Sequence, residues 1–226
     1  MRSSCARKVR LSVFVLAGAI AGVVAAPARA QPHEAAVVSA IIGEVLATGP
    51  AVTVLPLAPR SKVSVGDLIV TGGGARVELL FVDGSKMTLG ESTQIKVSRY
   101  DIAGGERHAS FELSRGLARS VVAKMSDTSS FVIRTPTAIA AVRSTVFCVE
   151  YTHDKGTEGV VVEGSLRVTD RGGGIALLEP GFGITVAPGQ ARNTPEAWPV
   201  TRIDAMRARA MIPAPVSSVP APRPAE

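Results

Sequence analysis

The sequence predicts an all-β protein. From Ala35 to Gln190, short runs rich in β-branched residues alternate with Gly, Pro or Asp punctuation, and no segment there shows long helical periodicity. Strands are expected at 37–47, 51–55, 75–82, 86–89, 94–98, 110–113, 117–122, 130–134, 146–151, 159–163, 165–169, 174–178 and 182–187. The glycine triplets at 72–74 and 172–174, Asp83-Gly84, Gly104-Gly105 and Gly164 mark turns between them.

Two arrangements of these strands compete. Asp83-Gly84 between VELLFV and SKMTLG is a hairpin signal, which favours an antiparallel β-sandwich. Yet LLFV and VVV are apolar without alternation, as in strands buried on both faces, and DGS (83–85) and EGS (163–165) each join two short strands in a similar setting. Such recurrence suits short rungs that bury their faces against one another. The residues by themselves leave both open, a compact β-solenoid-like domain and, as the alternative, the antiparallel β-sandwich.

The N-terminus has the build of a secretory signal peptide. Arg2, Arg7, Lys8 and Arg10 form a basic region, residues 11–26 an apolar one, and Ala28-Arg29-Ala30 an A-x-A cleavage site. The apolar stretch is short against the roughly 20 residues a membrane span requires. Residues 1–30 are thus expected to be removed, so that the mature protein starts at Gln31 and resides in the periplasm without a stable membrane anchor. Five of the 25 basic residues and none of the 19 acidic ones lie in that segment, leaving 20 against 19, a balance of +1. No basic stripe remains, so a nucleic-acid partner is not expected. Cys148 is the one cysteine after residue 30, which excludes an intramolecular disulfide, and its place in VFCVEY suits a small buried hydrophobe.

The expected β domain covers 31–195. In 196–212, the stretch IDAMRARAM (203–211) can form a short amphipathic helix with Ile203, Met206 and Met211 on or near one face. Pro213, Pro215, Pro220, Pro222 and Pro224 oppose regular structure in 213–226, read as a disordered proline-rich tail.

No catalytic, cofactor-binding or metal residue is expected. His33, His108 and His153 lie outside any zinc-ligand spacing, and Asp83, Asp101 and Asp154 read as turn-formers. The part after residue 30 holds no G-x-S-x-G or S-x-x-K motif, and Ser85 and Ser165 belong to turns. Nothing selects Glu78 with Asp83, or Glu112 with Glu163, as a working carboxylate pair. The glycine triplets lack the lysine of a phosphate loop. A glycan or small-ligand site would call for aromatic platforms, for which Tyr100, Tyr151 and Trp198 are the polar-tipped candidates.

The most informative stretch is TPTAIAAVRSTVFCV, residues 135–149. Thr135-Pro136 opens it in extended form, and Ala138, Ala140 and Ala141, interrupted by Ile139 and Val142, lead into a polar corner at Arg143-Ser144-Thr145 and the strand-like VFCVEY. Arg143 reads as partly buried, a structural clamp on backbone carbonyls or a carboxylate. This stretch resembles the signature of the FecR periplasmic domain family, a Thr-Pro element followed by Val-Arg-Gly-Thr-x-Phe. Val142, Arg143, Thr145 and Phe147 match, and Ser144 replaces the glycine. Gly43-Glu44-Val45, the Val65-to-Thr71 step, residues 75–97, LSRGLARSVV (113–122), VVVEGSLRV (160–168) and LEPGFGITVAPGQ (178–190) follow in that family's order. The resemblance implies a solenoid-like domain from regulators that carry a signal across the envelope. It also implies a role in binding one or more envelope proteins, which the empty search for catalytic motifs makes a non-enzymatic one. Those regulators carry a cytoplasmic anti-sigma region before their membrane span, which is not expected here because only residues 1–10 precede the apolar stretch.

Overall fold

Alternation of buried and exposed side chains along the chain gives seventeen strands among the described residues, which are 33–50, 52–124, 126–189 and 194–213 of this computed structural model. The expected signal segment, with Ala28, Ala30 and Gln31 at its cleavage site, and residues 214–226 of the proline-rich tail lie outside them. In chain order the strands are β1 (Glu34–Ile42), β2 (Val45–Thr48), β3 (Val54–Pro56), β4 (Lys62–Ser64), β5 (Leu68–Thr71) and β6 (Arg76–Phe81). There follow β7 (Lys86–Leu89), β8 (Gln94–Ala103), β9 (Glu106–Val121), β10 (Ser130–Arg134), β11 (Ala138–Val142) and β12 (Val146–Thr152). The last are β13 (Gly156–Glu163), β14 (Leu166–Asp170), β15 (Ile175–Leu178), β16 (Phe182–Val186) and β17 (Glu196–Ala197), then one helix, α1 (Val200–Arg209).

The all-β class is as expected. The strands pair into two open ladders joined by β9, whose N-terminal part belongs to one and whose C-terminal part belongs to the other. The first ladder runs β4-β1-β6-β7-β9-β12-β13-β16-β17, antiparallel throughout. The second runs β3-β2-β5-β8-β9-β10-β11-β14-β15, antiparallel except for the parallel pair β9 and β10. Hydrogen bonding is therefore that of hairpins laid side by side.

Residues at every second position of both ladders merge into one apolar core, including Ile69, Ile95, Phe111, Ile133 and Val168 from the second ladder and Leu79, Met87, Phe147, Val161 and Ile184 from the first. Phe81 stacks on Tyr100 with ring centroids 4.8 Å apart, and Phe111, Phe131 and Phe147 continue the aromatic run at 4.9 Å and 6.3 Å. The crossing of β9 between ladders depends on Gly116. Its φ is +88°, and a Cβ there would run into Thr93, whose hydroxyl accepts the Leu117 N–H at 3.0 Å.

Several boundaries differ from expectation. Gly43, at φ +72°, splits the expected 37–47 run into β1 and β2, whereas 110–113 and 117–122 are parts of the single strand β9. β4, β5, β11 and β17 lie outside the expected strands; in β11 the small alternating residues Ala138, Ala140 and Val142 face inward, so a run that reads as tight packing is itself a strand. LLFV does alternate, as part of β6, with Leu79 and Phe81 buried and Leu80 only half-buried. In β12 and β13 both faces are buried, because α1 covers the outer side of the first ladder.

That helix begins three residues before the expected IDAMRARAM stretch. Ile203 and Met206 pack with Trp198, Leu117, Cys148 and Val160, but Met211 lies past the helix end and is exposed, its place in the cluster taken by Ala210. Ion pairs from Arg202 to Glu158 and from Arg209 to Glu150 tie α1 to β13 and β12. Cys148 is fully buried beneath it, and burial pushes its thiol pKa up to about 12, so it remains a neutral hydrophobe.

Candidate functional site

The largest fully buried side chain among the described residues is charged. Arg107 shares its strand parity with Ala109, Phe111 and Leu113, so the pleat of β9 directs it into the core. There it meets Asp83 of the β6–β7 turn, the two side chains being 0% and 2% exposed. Asp83 accepts the Ser85 N–H at 2.9 Å in an Asx-type turn, the Ser85 hydroxyl at 2.7 Å and the Tyr100 hydroxyl at 2.6 Å. Arg107 also donates to Ser85 Oγ at 3.1 Å, to the Ala123 carbonyl at 3.2 Å and to the Arg143 carbonyl at 2.9 Å, and its guanidinium lies 5.6 Å from the centre of the Phe131 ring.

Burial alone would raise the pKa of Asp83, but hydrogen bonds from Tyr100, Arg107 and Ser85 outweigh it and hold the carboxyl below the usual carboxylate range. The Tyr100 hydroxyl is pushed upward, first by burial and then by its bond to Asp83. This node joins β6, β7, β8 and β9 to the 143–145 corner. Ser85 and Asp83 make a serine–carboxylate contact, yet the hydroxyl also accepts the Ala123 N–H at 3.0 Å and is closed to solvent, so it is a structural joint.

The signature residues surround that joint. Thr135 closes the β10–β11 hairpin: its N–H donates to the Ala138 carbonyl at 2.9 Å, and its hydroxyl accepts the Ala138 N–H at 2.9 Å. Pro136 and Thr137 form the turn, and the Thr135 and Thr137 hydroxyls each lie 2.6 Å from that of Thr157 on β13, in the other ladder. Val142 and Phe147 are core residues, and Thr145 is buried with its hydroxyl donating to the Ser165 carbonyl at 2.9 Å.

Arg143 departs from expectation. Its side chain is 69% exposed, with only the fully exposed Asp127 at 3.9 Å, and the buried arginine clamping this corner is Arg107, which takes the carbonyl of Arg143 rather than its guanidinium. Ser144 is exposed and is not among the residues with positive φ. The glycine this corner needs is Gly164, at φ +86°, where a Cβ would sit 2.6 Å from the Ser144 carbonyl oxygen. Gly164→Ala is accordingly expected to cost about 1–3 kcal/mol in chemical denaturation. Ser144→Gly should cost at most about 0.4–1 kcal/mol, through the freer unfolded chain. A neutral Gly164→Ala would contradict this geometry.

Beside the corner runs an open groove of about 1060 Å³, whose lining includes Arg143, Ser144, Thr145, Ser165, Arg167 and Leu177. It adjoins the outer face of the second ladder, where two cross-strand rows reach the β15 edge, Ile139-Thr169-Ile175 and Ala141-Arg167-Leu177. Ile175 and Leu177 are 65% and 60% exposed. Strand parity gives the sign that sequence reading passed over, since Ala176 and Leu178 are the buried pair of β15.

The other candidates do not converge. His33 and His153 are exposed, His108 lies 3.3 Å from the Ser130 hydroxyl, and no group of three or more His, Cys, Asp or Glu is placed to hold a metal among the described residues. Glu78 bonds Ser39 while Asp83 bonds Arg107, and Glu112 and Glu163 are exposed on different ladders. Tyr100, Tyr151 and Trp198 are 1%, 8% and 5% exposed, so none of them offers a ring face to a sugar. No helix among the described residues is long and apolar enough to cross a membrane.

Residues 67–167, from just before β5 into the first residues of β14, match the family described as FecR protein. Two crystal structures of a candidate anti-sigma factor from Parabacteroides distasonis resemble the fold, with TM-scores of 0.51 and 0.52 and sequence identities of 21% and 22%. In each case 61% of this chain is covered, against 63% and 62% of the other, so this chain spans about three-fifths of their length. No curated protein matches the chain.

Proposed function

Since residues 67–167 of this chain form a FecR domain, we propose that the protein is a non-enzymatic interaction module of the periplasm, related to signal-transducing regulators, that binds an envelope protein. The observation carrying this reading is how the signature residues are used: Thr135, Val142, Thr145 and Phe147 pack or cap, leaving the adjoining edge and groove as the accessible surface. An anti-sigma description for the similar Parabacteroides protein accords with a regulatory role. The signal-like N-terminus supports export, and the advance of successive hairpins along both ladders supports a solenoid-like description of the domain. Exposed strand edges suit partner binding because their unpaired backbone groups can accept another extended segment. A glycan-binding alternative is disfavoured by the burial of Tyr100, Tyr151 and Trp198.

In-cell photo-crosslinking from surface positions on both ladders tests this reading. A discrete covalent adduct with one envelope protein is expected. Absence of any protein adduct, together with stoichiometric binding of a siderophore, glycan or metal by the purified protein, would replace it with the ligand-binding alternative.

A further inference from the structure

Resting on the interaction-module reading, the geometry points to β15 as the docking edge and to an extended, acidic segment of another protein as its occupant. The two ladders have four edges, and three are guarded. On β3, the bonds from Leu57 N–H to the Val45 carbonyl and from Gly49 N–H to the Thr53 carbonyl set the alternation, so Val54 and Pro56 face outward, and Pro56 has no N–H to give. β4 is three residues long and carries Lys62, paired with Glu34 at 2.8 Å. β17 has two residues and runs into Trp198-Pro199. Proline, lysine and short length are the usual means of blocking unwanted strand pairing.

β15 carries none of these. The Asp170 N–H donates to the Gly174 carbonyl at 2.9 Å, so Val168 with Ala176 and Leu166 with Leu178 are the hydrogen-bonded pairs. The N–H and C=O of Ile175 and Leu177 therefore point to the open edge, where no described strand pairs with them, and their side chains lie exposed on the outer face. An added strand would gain backbone bonds at both residues and apolar neighbours at every second position.

Charge selects the occupant. Arg167 stands beside Leu177 and makes no ion pair with another described residue, and Arg171 is exposed at the turn into β15; Arg143 lines the same groove, where the fully exposed Asp127 lies 3.9 Å from it, leaving the arginines in excess. Aspartate or glutamate in the incoming segment would answer these arginines. Pairing of β15 with a second copy would instead bring two sets of arginines onto one continuous face, which opposes it.

The test places a photo-crosslinking residue at Leu177, or at Val54 on the guarded edge, in the full chain exported by its native cell, and reads the crosslinked partner segment by mass spectrometry. A segment alternating apolar and acidic residues, captured from position 177, is expected, with yield falling about tenfold on Arg167→Glu while the thermal midpoint is kept. Capture from position 54 but not 177 would overturn the edge assignment and leave the module reading standing. A captured second copy, a segment without acidic residues, or a yield indifferent to Arg167→Glu would overturn the occupant. Absence of protein adducts at both positions would overturn the edge and count against the module reading, which binding of a small ligand by the purified protein would then displace.

Discussion

Asp83→Asn is expected to destabilise the protein by about 3–5 kcal/mol in urea denaturation, because it leaves the buried Arg107 guanidinium without a counter-charge. The substitution keeps the side-chain shape, so packing contributes little to that loss. Against a total stability of about 5–15 kcal/mol, it removes a large share. The effect should also depend on pH. The folded-state pKa of Asp83 is lowered, so its contribution is fully present above the unfolded carboxyl value of about 3.9 and is lost as pH falls through the folded one. The gap between wild type and Asp83→Asn should thus be constant near neutrality and narrow below about pH 4. A neutral-pH loss under about 1 kcal/mol would show that Arg107 finds its compensation elsewhere.

Phe147→Ala should cost about 3–5 kcal/mol. Its ring is fully buried on β12, meets Phe131 edge-on at 6.3 Å and lies between the Val146 and Cys148 strand positions, with β9 on one side and β13 on the other. Little nearby can close the void, because the surrounding backbone is held on both sides by ladder bonds. Equilibrium unfolding is the measurement, and a loss under about 1 kcal/mol would mean that the signature strand is peripheral.

Local signals in the sequence reach a definite depth. Gly-punctuated β-branched runs give the all-β class because strand formation depends on near neighbours, and the FecR-like order of motifs is legible for the same reason. Arg107 was readable but easily passed over: its parity with Ala109, Phe111 and Leu113 places it inward, while its charge suggests the surface. Arg143 misleads in the opposite direction, since an apolar run precedes it but the chain bends there and leaves it in solvent. The requirement for glycine at 164 rather than 144 depends on a contact between segments twenty residues apart, which no local pattern encodes. Likewise, the doubly buried VVV run reflects a helix lying some forty residues downstream, and the openness of β15 is a property of ladder order.

Residue-resolved amide hydrogen exchange, followed by NMR on the free protein, distinguishes a packed two-ladder scaffold with β15 open from one in which that edge is covered. Amides of Phe147 and Val149 should exchange only through global unfolding, while in β15 the pattern should alternate, fast at Ile175 and Leu177 and slower at Ala176 and Leu178. Uniform protection across β15, or fast exchange at Phe147, would rule out that arrangement.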